Sequence, residues 1–361
     1  MKQNYKVTLT TLSPVFIGNG NTIGKKEYLY DNLNEQIIVF NRNKLLTGLM
    51  QMKLLDAYCN EALKPEFKLK FFLQKNNIRP AQYKEWISHR LDSSAVIDGR
   101  HALKNISCFV KDAYGVPYIP GSSLKGALRT AILSSEISNI DLKNKKIELL
   151  QTNKYKDKKD LKNKADKIEI KVFNTLGRKN DKKNNAVNDI FSKMLISDSE
   201  PIENCKLILC EKFDVALEGS AKPVSSVVRE CLPPNTKINF TMSIESECFN
   251  IENIKGCIAK RFESYYKNYL DYFHCTDIDD IITENNIVIG GGTGFQSKTI
   301  TYELLGRKDG LDFTKKFMCE NFKKGKHYND NTISPHTRKI TKYDDTFFDM
   351  GVCSIDFERL N

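Results

Sequence analysis

No apolar run in these 361 residues approaches the roughly 20 that a helix needs to span a bilayer, so no membrane partner is expected. The opening MKQNYKVTLT lacks the uninterrupted apolar core of a secretory signal, which points to a cytoplasmic protein. Ten cysteines include no Cys-x-x-Cys pair, the nearest being Cys205 with Cys210 and Cys248 with Cys257. The five histidines, His89, His101, His274, His327 and His336, are scattered. A zinc site built from local sequence needs tighter spacing, so no metal or other cofactor is expected. The cysteines read as small buried residues of a reducing compartment. Nucleotide loops are missing as well. Gly121 and Gly126 have the Walker spacing, but Ala127-Leu128 follow where Lys-Ser/Thr belongs. A dinucleotide fingerprint needs glycine three residues after Gly292, where Phe295 stands.

What the chain has in excess is positive charge. It carries 56 Lys+Arg against 45 Asp+Glu, a net charge of +11 and a pI near 9.0. Such a balance favours a polyanionic partner. The excess is uneven: between Asp141 and Asn185 stand 15 basic and 7 acidic residues, a local +8. That stretch is dense in charge and poor in aromatics, and it reads as a flexible insertion or as a basic arm that orders on nucleic acid. Any groove elsewhere that holds a polyphosphate must rest on where single cations stand.

The most informative run is Val116–Ala131, V-P-Y-I-P-G-S-S-L-K-G-A-L-R-T-A. A short apolar strand ends at Pro120, and Ser122 or Ser123 stands where a helix N-cap belongs. Leu124, Leu128, Ala131 and Ile132 then recur on one helical face. Lys125 and Arg129, four apart, lie beside it on a common side. Helix-start N–H groups, hydroxyls and two cations together suit a phosphate. A plain capped helix with two solvated cations reads equally well. The second run, Gly290-Gly291-Gly292-Thr293-Gly294, ends a strand and is followed by Ser297, Lys298 and Thr299. Its glycines permit positive φ and close approach, as in a cradle of N–H groups around a phosphate or as in a tightly packed strand exit.

Around these runs the pattern is α+β. Tyr5, Val7 and Leu9 alternate as a half-buried strand ahead of the glycine-rich loop Gly18–Lys26. Tyr28–Tyr30 and Ile37–Phe40 form a hairpin. Asn41 or Asn43 caps a helix entered by Arg42 and Lys44, and a looser helix covers 66–89. Ile106–Val110 and Val116–Ile119 are two further strands. The order predicts β-α-β-β-α-β, ferredoxin-like or RRM-like, over 1–140. A flexible insertion then fills 141–185. A less regular half of the same type fills 186–361, with a strand ending at Arg229-Glu230 and a long helix over 252–273. Ser197-Asp198-Ser199 reads as a turn.

The runs PGSSLKGALRT and IGGGTGFQSKT, with SPVFIGNG, Asn43-Lys44-Leu45, Ser197–Ser199 and Val228–Glu230, resemble the RAMP superfamily of CRISPR–Cas effector proteins. Within it they resemble the end-capping subunit of type III-A (Csm) complexes. The likeness covers most of the chain and omits the lysine-rich insertion. It implies ferredoxin-like domains and a place at the end of a backbone of related subunits. There the chain would hold the 3′ part of the CRISPR RNA and support its maturation in antiviral defence. By position, Gly121, Ser122, Ser123, Lys125 and Arg129 would meet the RNA backbone. Arg229, Gly290, Gly291, Gly292, Thr293, Gly294 and Lys298 are further candidates, with Arg42 and Lys44. Implied partners are CRISPR RNA, neighbouring backbone and small subunits of the Csm complex, target RNA and cellular nucleases. Relatives often carry His where Phe16 stands, and RNA-cleaving subunits carry Asp beyond the first glycine loop, where this chain reads Gly24-Lys25-Lys26. A phenyl ring cannot shuttle a proton, so no catalytic residue is expected. The alternatives are a RAMP ribonuclease that itself trims the RNA and a scaffold that recruits nucleases.

Overall fold

The opening strand, β1 (Lys2–Thr11), alternates as expected and turns Tyr5, Val7 and Leu9 into the core. The computed structural model describes residues 1–360 except 94–95, 97–103, 152–154, 156, 179–184, 275–277 and 279–281, with backbone alone at 158 and 224–227. His101 and parts of the lysine-rich stretch lie outside the described residues.

Next come β2 (Gly18–Ile23), β3 (Tyr28–Asp31) and β4 (Gln36–Phe40). Four helices follow, α1 (Arg42–Gln51), α2 (Leu55–Ala62), α3 (Leu69–Lys75) and α4 (Pro80–Tyr83). Then come β5 (Ile87–Asp92), β6 (Asn105–Phe109), α5 (Gly121–Glu136), α6 (Lys143–Leu150) and α7 (Lys158–Phe173). The middle of the chain supplies β7 (Met194–Ile196), β8 (Ile208–Ala216), β9 (Lys222–Cys231), β10 (Lys237–Glu245) and α8 (Ile251–Asn268). The last elements are β11 (Asn286–Val288), α9 (Thr301–Leu305), α10 (Arg307–Asn321), β12 (Thr337–Tyr343), β13 (Thr346–Asp349) and β14 (Val352–Leu360).

A five-stranded antiparallel sheet runs β11-β14-β1-β10-β7. Val7 opposes Phe240 on one side and Phe357 on the other. Helices α5 and α8 pack on each other, and their Leu124, Leu128, Ile254 and Ile258 join Val7, Leu9 and Phe240 in one core. The order β1-α5-β7-β10-α8-β14 is the ferredoxin-like arrangement, with β11 added at the edge. Expected over 1–140, it is threaded through the whole chain instead. Local pattern marks strands but not distant partners, and β1 finds its neighbours more than two hundred residues away. The second sheet has nine strands, running β2-β6-β9-β8-β5-β4-β3 with β12 and β13 continuing from β8. It also joins segments from both sides of 141–185, because β6 pairs parallel with β9 and β5 with β8.

Other local expectations give way as well. The glycine-rich stretch at 18–26 opens as strand β2, paired to β6 across a bulge. Residues 116–119 form no strand; they keep one bridge, Lys111 to Pro117, because neither Pro117 nor Pro120 can donate to a ladder. The looser helix over 66–89 breaks into α3 and α4, and β5 begins at Ile87. The lysine-rich stretch, expected as a flexible insertion, forms α6 and α7 over described residues. Leu149, Ile168, Val172 and Phe173 bury into the main core. Its signal was present: Leu161, Ala165, Ile168 and Val172 recur at helical spacing among the lysines.

The Phe173 ring lies edge-on to Phe191 with centroids 5.0 Å apart, and only 2% of the residue is exposed. Phe173→Ala should cost about 3–5 kcal/mol, read as a lowered urea midpoint. An unchanged midpoint would mean that this segment is not part of the packed core.

Candidate nucleic-acid interface

Helix α5 starts two or three residues earlier than expected. Pro120 holds the cap position with no side-chain hydrogen bond, and Ser122 and Ser123 fall inside the first turn. The cap comes from afar. Gly121 N–H donates to Asp198 Oδ1 at 2.8 Å, and Ile119 N–H donates to Ser199 Oγ at 2.9 Å. Ser199 N–H returns a bond to Ile119 O at 2.9 Å. Position 121 must be glycine, since a Cβ there would overlap the backbone oxygens of Ile196 and Ser197. Ser197–Ser199, expected as a simple turn, therefore supplies a carboxylate to the positive helix end. At Gly121 the anion is the chain's own.

The two cations of this helix are also engaged within the fold. Lys125 Nζ donates to Met194 O at 2.6 Å, and burial lowers its pKa. Arg129 Nε donates to Glu169 Oε2 at 2.8 Å, and its Nη1 lies 2.9 Å from Asp189 Oδ2. Its guanidinium also sits 4.2 Å from the Phe173 ring centroid. These contacts fasten α7 and the turn at 190–193 to α5. Covering helices take the charges that the bare motif leaves free.

The two glycine runs nonetheless converge. Gly291 N–H donates to Phe16 O at 2.7 Å. Gly290, at φ +82, lies so close that a Cβ would overlap that same oxygen. Ser297 Oγ donates to Thr293 O at 2.9 Å, which closes the loop behind the glycines. Gly18, Ser122, Ser123, Gly290, Gly291 and Lys298 then line one cavity of about 440 Å³. Lys298 is exposed and has no ion-pair partner among the described residues, although protein around its ammonium lowers its pKa. Sequence reading missed Arg261, a buried residue on the apolar side of α8. Its Nη2 donates to Gln296 O at 2.7 Å and to Thr299 O at 2.8 Å, bracing the turn that presents Lys298.

The remaining candidates stand elsewhere. Arg229 lies with its guanidinium 5.6 Å from the Phe16 ring centroid, beside Gly292, and does not line the cavity. One of its nitrogens, Nη1, is buried with no hydrogen-bond partner among the described residues. Gly292, Thr293 and Gly294 continue the loop away from the cavity wall. Arg42 donates to Glu27 Oε1 at 2.7 Å and lines a separate cavity of about 520 Å³ with Lys25 and Lys26. Lys44 is exposed in the first turn of α1, where Asn41 caps its N–H.

Beside Arg229, Glu230 is wholly buried. It accepts hydrogen bonds from Phe109 N–H at 2.9 Å and Lys111 Nζ at 2.7 Å, and it meets His89 Nε2 at 2.6 Å. Burial pushes its carboxyl up, but His89 and Lys111 outweigh that and hold it below its ordinary value. The cluster ties β5, β6 and β9 together at the middle of the second sheet.

A family model described as the RAMP superfamily matches residues 8–342. The Streptococcus thermophilus protein called CRISPR system Cms protein Csm5 is 28% identical over 323 residues, covering 83% of this chain and 82% of its own length. A protein of that name from Mycobacterium tuberculosis is 26% identical over 387 residues, covering 98% of each. A chain in the cryo-EM structure of a Csm–crRNA–target RNA ternary complex of a type III-A CRISPR–Cas system superposes with a TM-score of 0.64. The two are 19% identical, and 99% of this chain and 100% of that chain are covered. The crystal structure of T. onnurineus Csm5 superposes with a TM-score of 0.58 at 17% identity, covering 96% of this chain and 99% of that one. At such identities these likenesses establish the fold.

A depressed carboxyl stabilises the fold above its unfolded pKa, and that contribution fades as pH falls through the folded value. For Glu230 the window therefore opens below about pH 4.5, its ordinary value. Glu230→Gln should lose about 3–5 kcal/mol at pH 7, because it strands Lys111 and His89. The gap to the native chain should narrow as pH drops below that window, as read by denaturant melts across pH.

Proposed function

The chain belongs to the RAMP superfamily, and from that premise we propose that it is an RNA-binding subunit of a type III-A Csm complex. It caps the backbone of related subunits, holds the 3′ part of the CRISPR RNA and supports maturation of that RNA without cutting it. Neighbouring backbone and small subunits are its protein partners, and target RNA passes beside the held strand. The observation that carries this reading is the convergence of Ser122, Ser123, Gly290, Gly291 and Lys298 on one cavity. Hydroxyls, close-set backbone and one unpaired ammonium suit ribose and phosphate. They read no base edge, which leaves the bases free to pair.

The same geometry favours holding over cutting. The Phe16 ring packs on Gly18 and Gly291 and under Arg229, where a proton shuttle would need an imidazole. Lys25 and Lys26, at the position of the expected acid, line a different cavity.

Lys298→Ala should flatten the dependence of log affinity on log salt by about 0.7 for single-stranded RNA, the share of one lost phosphate contact. Arg129→Ala removes equal charge but serves as the control, because its guanidinium is spent on Glu169 and Asp189. It should leave the slope unchanged while lowering stability. If Lys298→Ala leaves the slope intact in filter-binding titrations, the RNA backbone does not lie in this cavity.

A further inference from the structure

We propose that His327, Asp330 and His336 bind one divalent transition-metal ion of the zinc class. The spacing His-x2-Asp-x5-His hides the site from a search for tight local motifs. Folding closes it. His327 opens a short 3-10 turn after α10, Asp330 follows that turn, and His336 stands just before β12. One ligand atom from each residue lies within 4.8 Å of the other two.

The carboxylate sits at the centre. Asp330 is fully buried at its side chain, and each of its oxygens faces the Nδ1 of one imidazole: His327 at 3.1 Å and His336 at shorter range. Ser334 Oγ donates to Asp330 Oδ2 at 2.6 Å and fixes the carboxylate plane. The two imidazole rings lie 4.8 Å apart, and a cation between them would draw both nitrogens and the oxygen to roughly 2.0–2.2 Å.

Other bonds stiffen the arrangement. Ser334 O accepts from Gln296 Nε2 at 2.8 Å and from the Tyr302 hydroxyl at 3.1 Å. Outer partners of this kind hold ligands in place before a metal arrives. His327 and His336 both face a cavity of about 1070 Å³, whose wall also carries Lys212, Lys323 and Lys339. Three protein ligands and an open fourth position are the donor set of an accessible zinc-type site. The contrary reading is an internal ion-pair cluster with no affinity for metal, and the two make opposite predictions.

Full-length protein stripped with chelator is titrated with Co²⁺ while its visible spectrum is recorded. One equivalent should give d–d bands without the intense thiolate charge-transfer band that cysteine ligation would add, and Zn²⁺ should displace it. His336→Ala should abolish the bands. The unaltered protein gives a second readout in case that variant folds poorly: Zn²⁺ should shift the imidazole NMR signals of His327 and His336 and of no other histidine. Absence of a cobalt band in the unaltered protein, a thiolate-type band, or zinc shifts confined to other histidines would each overturn the proposal.

Discussion

The hydrogen bond from Gly291 N–H to Phe16 O joins residues 275 positions apart, and the rest of the arrangement depends on it. It forms because Gly290 and Gly291 let one backbone lie directly against another. Around it, Gly351 N–H donates to Pro14 O, Ile289 N–H to Gly351 O, and Val352 N–H to Ser13 Oγ, each at 2.9 Å. The exit of β1, the exit of β11 and the entry to β14 are thereby locked into one knot. Since β1 lies between β10 and β14, the knot also fixes where α5 begins, and so where Ser122 and Ser123 face the glycine loop. A side chain at 290 would part the two walls of the cavity before it touched any ligand.

Charge follows a related logic. A chain of net +11 has cations to spare, yet many of those nearest the motifs are spent internally. Arg129 holds α7 and the turn at 190–193 through Glu169, Asp189 and two aromatic rings, and Arg261 holds the turn at 296–299. Partly buried cations of this kind act as struts, with carboxylates and carbonyls meeting most of their hydrogen-bonding capacity. For the proposed RNA partner, long-range attraction would come from the overall excess, and register from single exposed residues such as Lys298.

Much of this could be read from the sequence, and the failures share one cause. Alternation at Tyr5, Val7 and Leu9, the Asn41 cap and the apolar stripe of α5 are local signals, and each element forms as expected, α5 with an earlier start. That both glycine runs would meet one RNA was legible through the family that they resemble; that they line one cavity is seen in the fold. Partnership across the chain was not. Nothing in Ser197-Asp198-Ser199 announces that it caps a helix 77 residues earlier, and nothing in Lys125 announces Met194 O. The lysine-rich stretch misled for a different reason, because its charge masked an amphipathic period that tertiary packing then used. The His327–Asp330–His336 cluster escaped because its ligands sit on a turn and a strand entry with no common periodicity.

The Asp198 cap bears on what a strand of RNA could do at this site. At many helix N-termini, free N–H groups and the dipole draw a phosphate inward until it is gripped end-on. Here the end of α5 is already neutralised by a carboxylate, which also repels a second anion from the axis. On the proposed reading, a phosphate near Ser122 and Ser123 would be held from the side, between hydroxyls and Lys298, and not swallowed by the helix. Such a hold would be shallow and spread along the strand, which suits a polymer that must be kept in register.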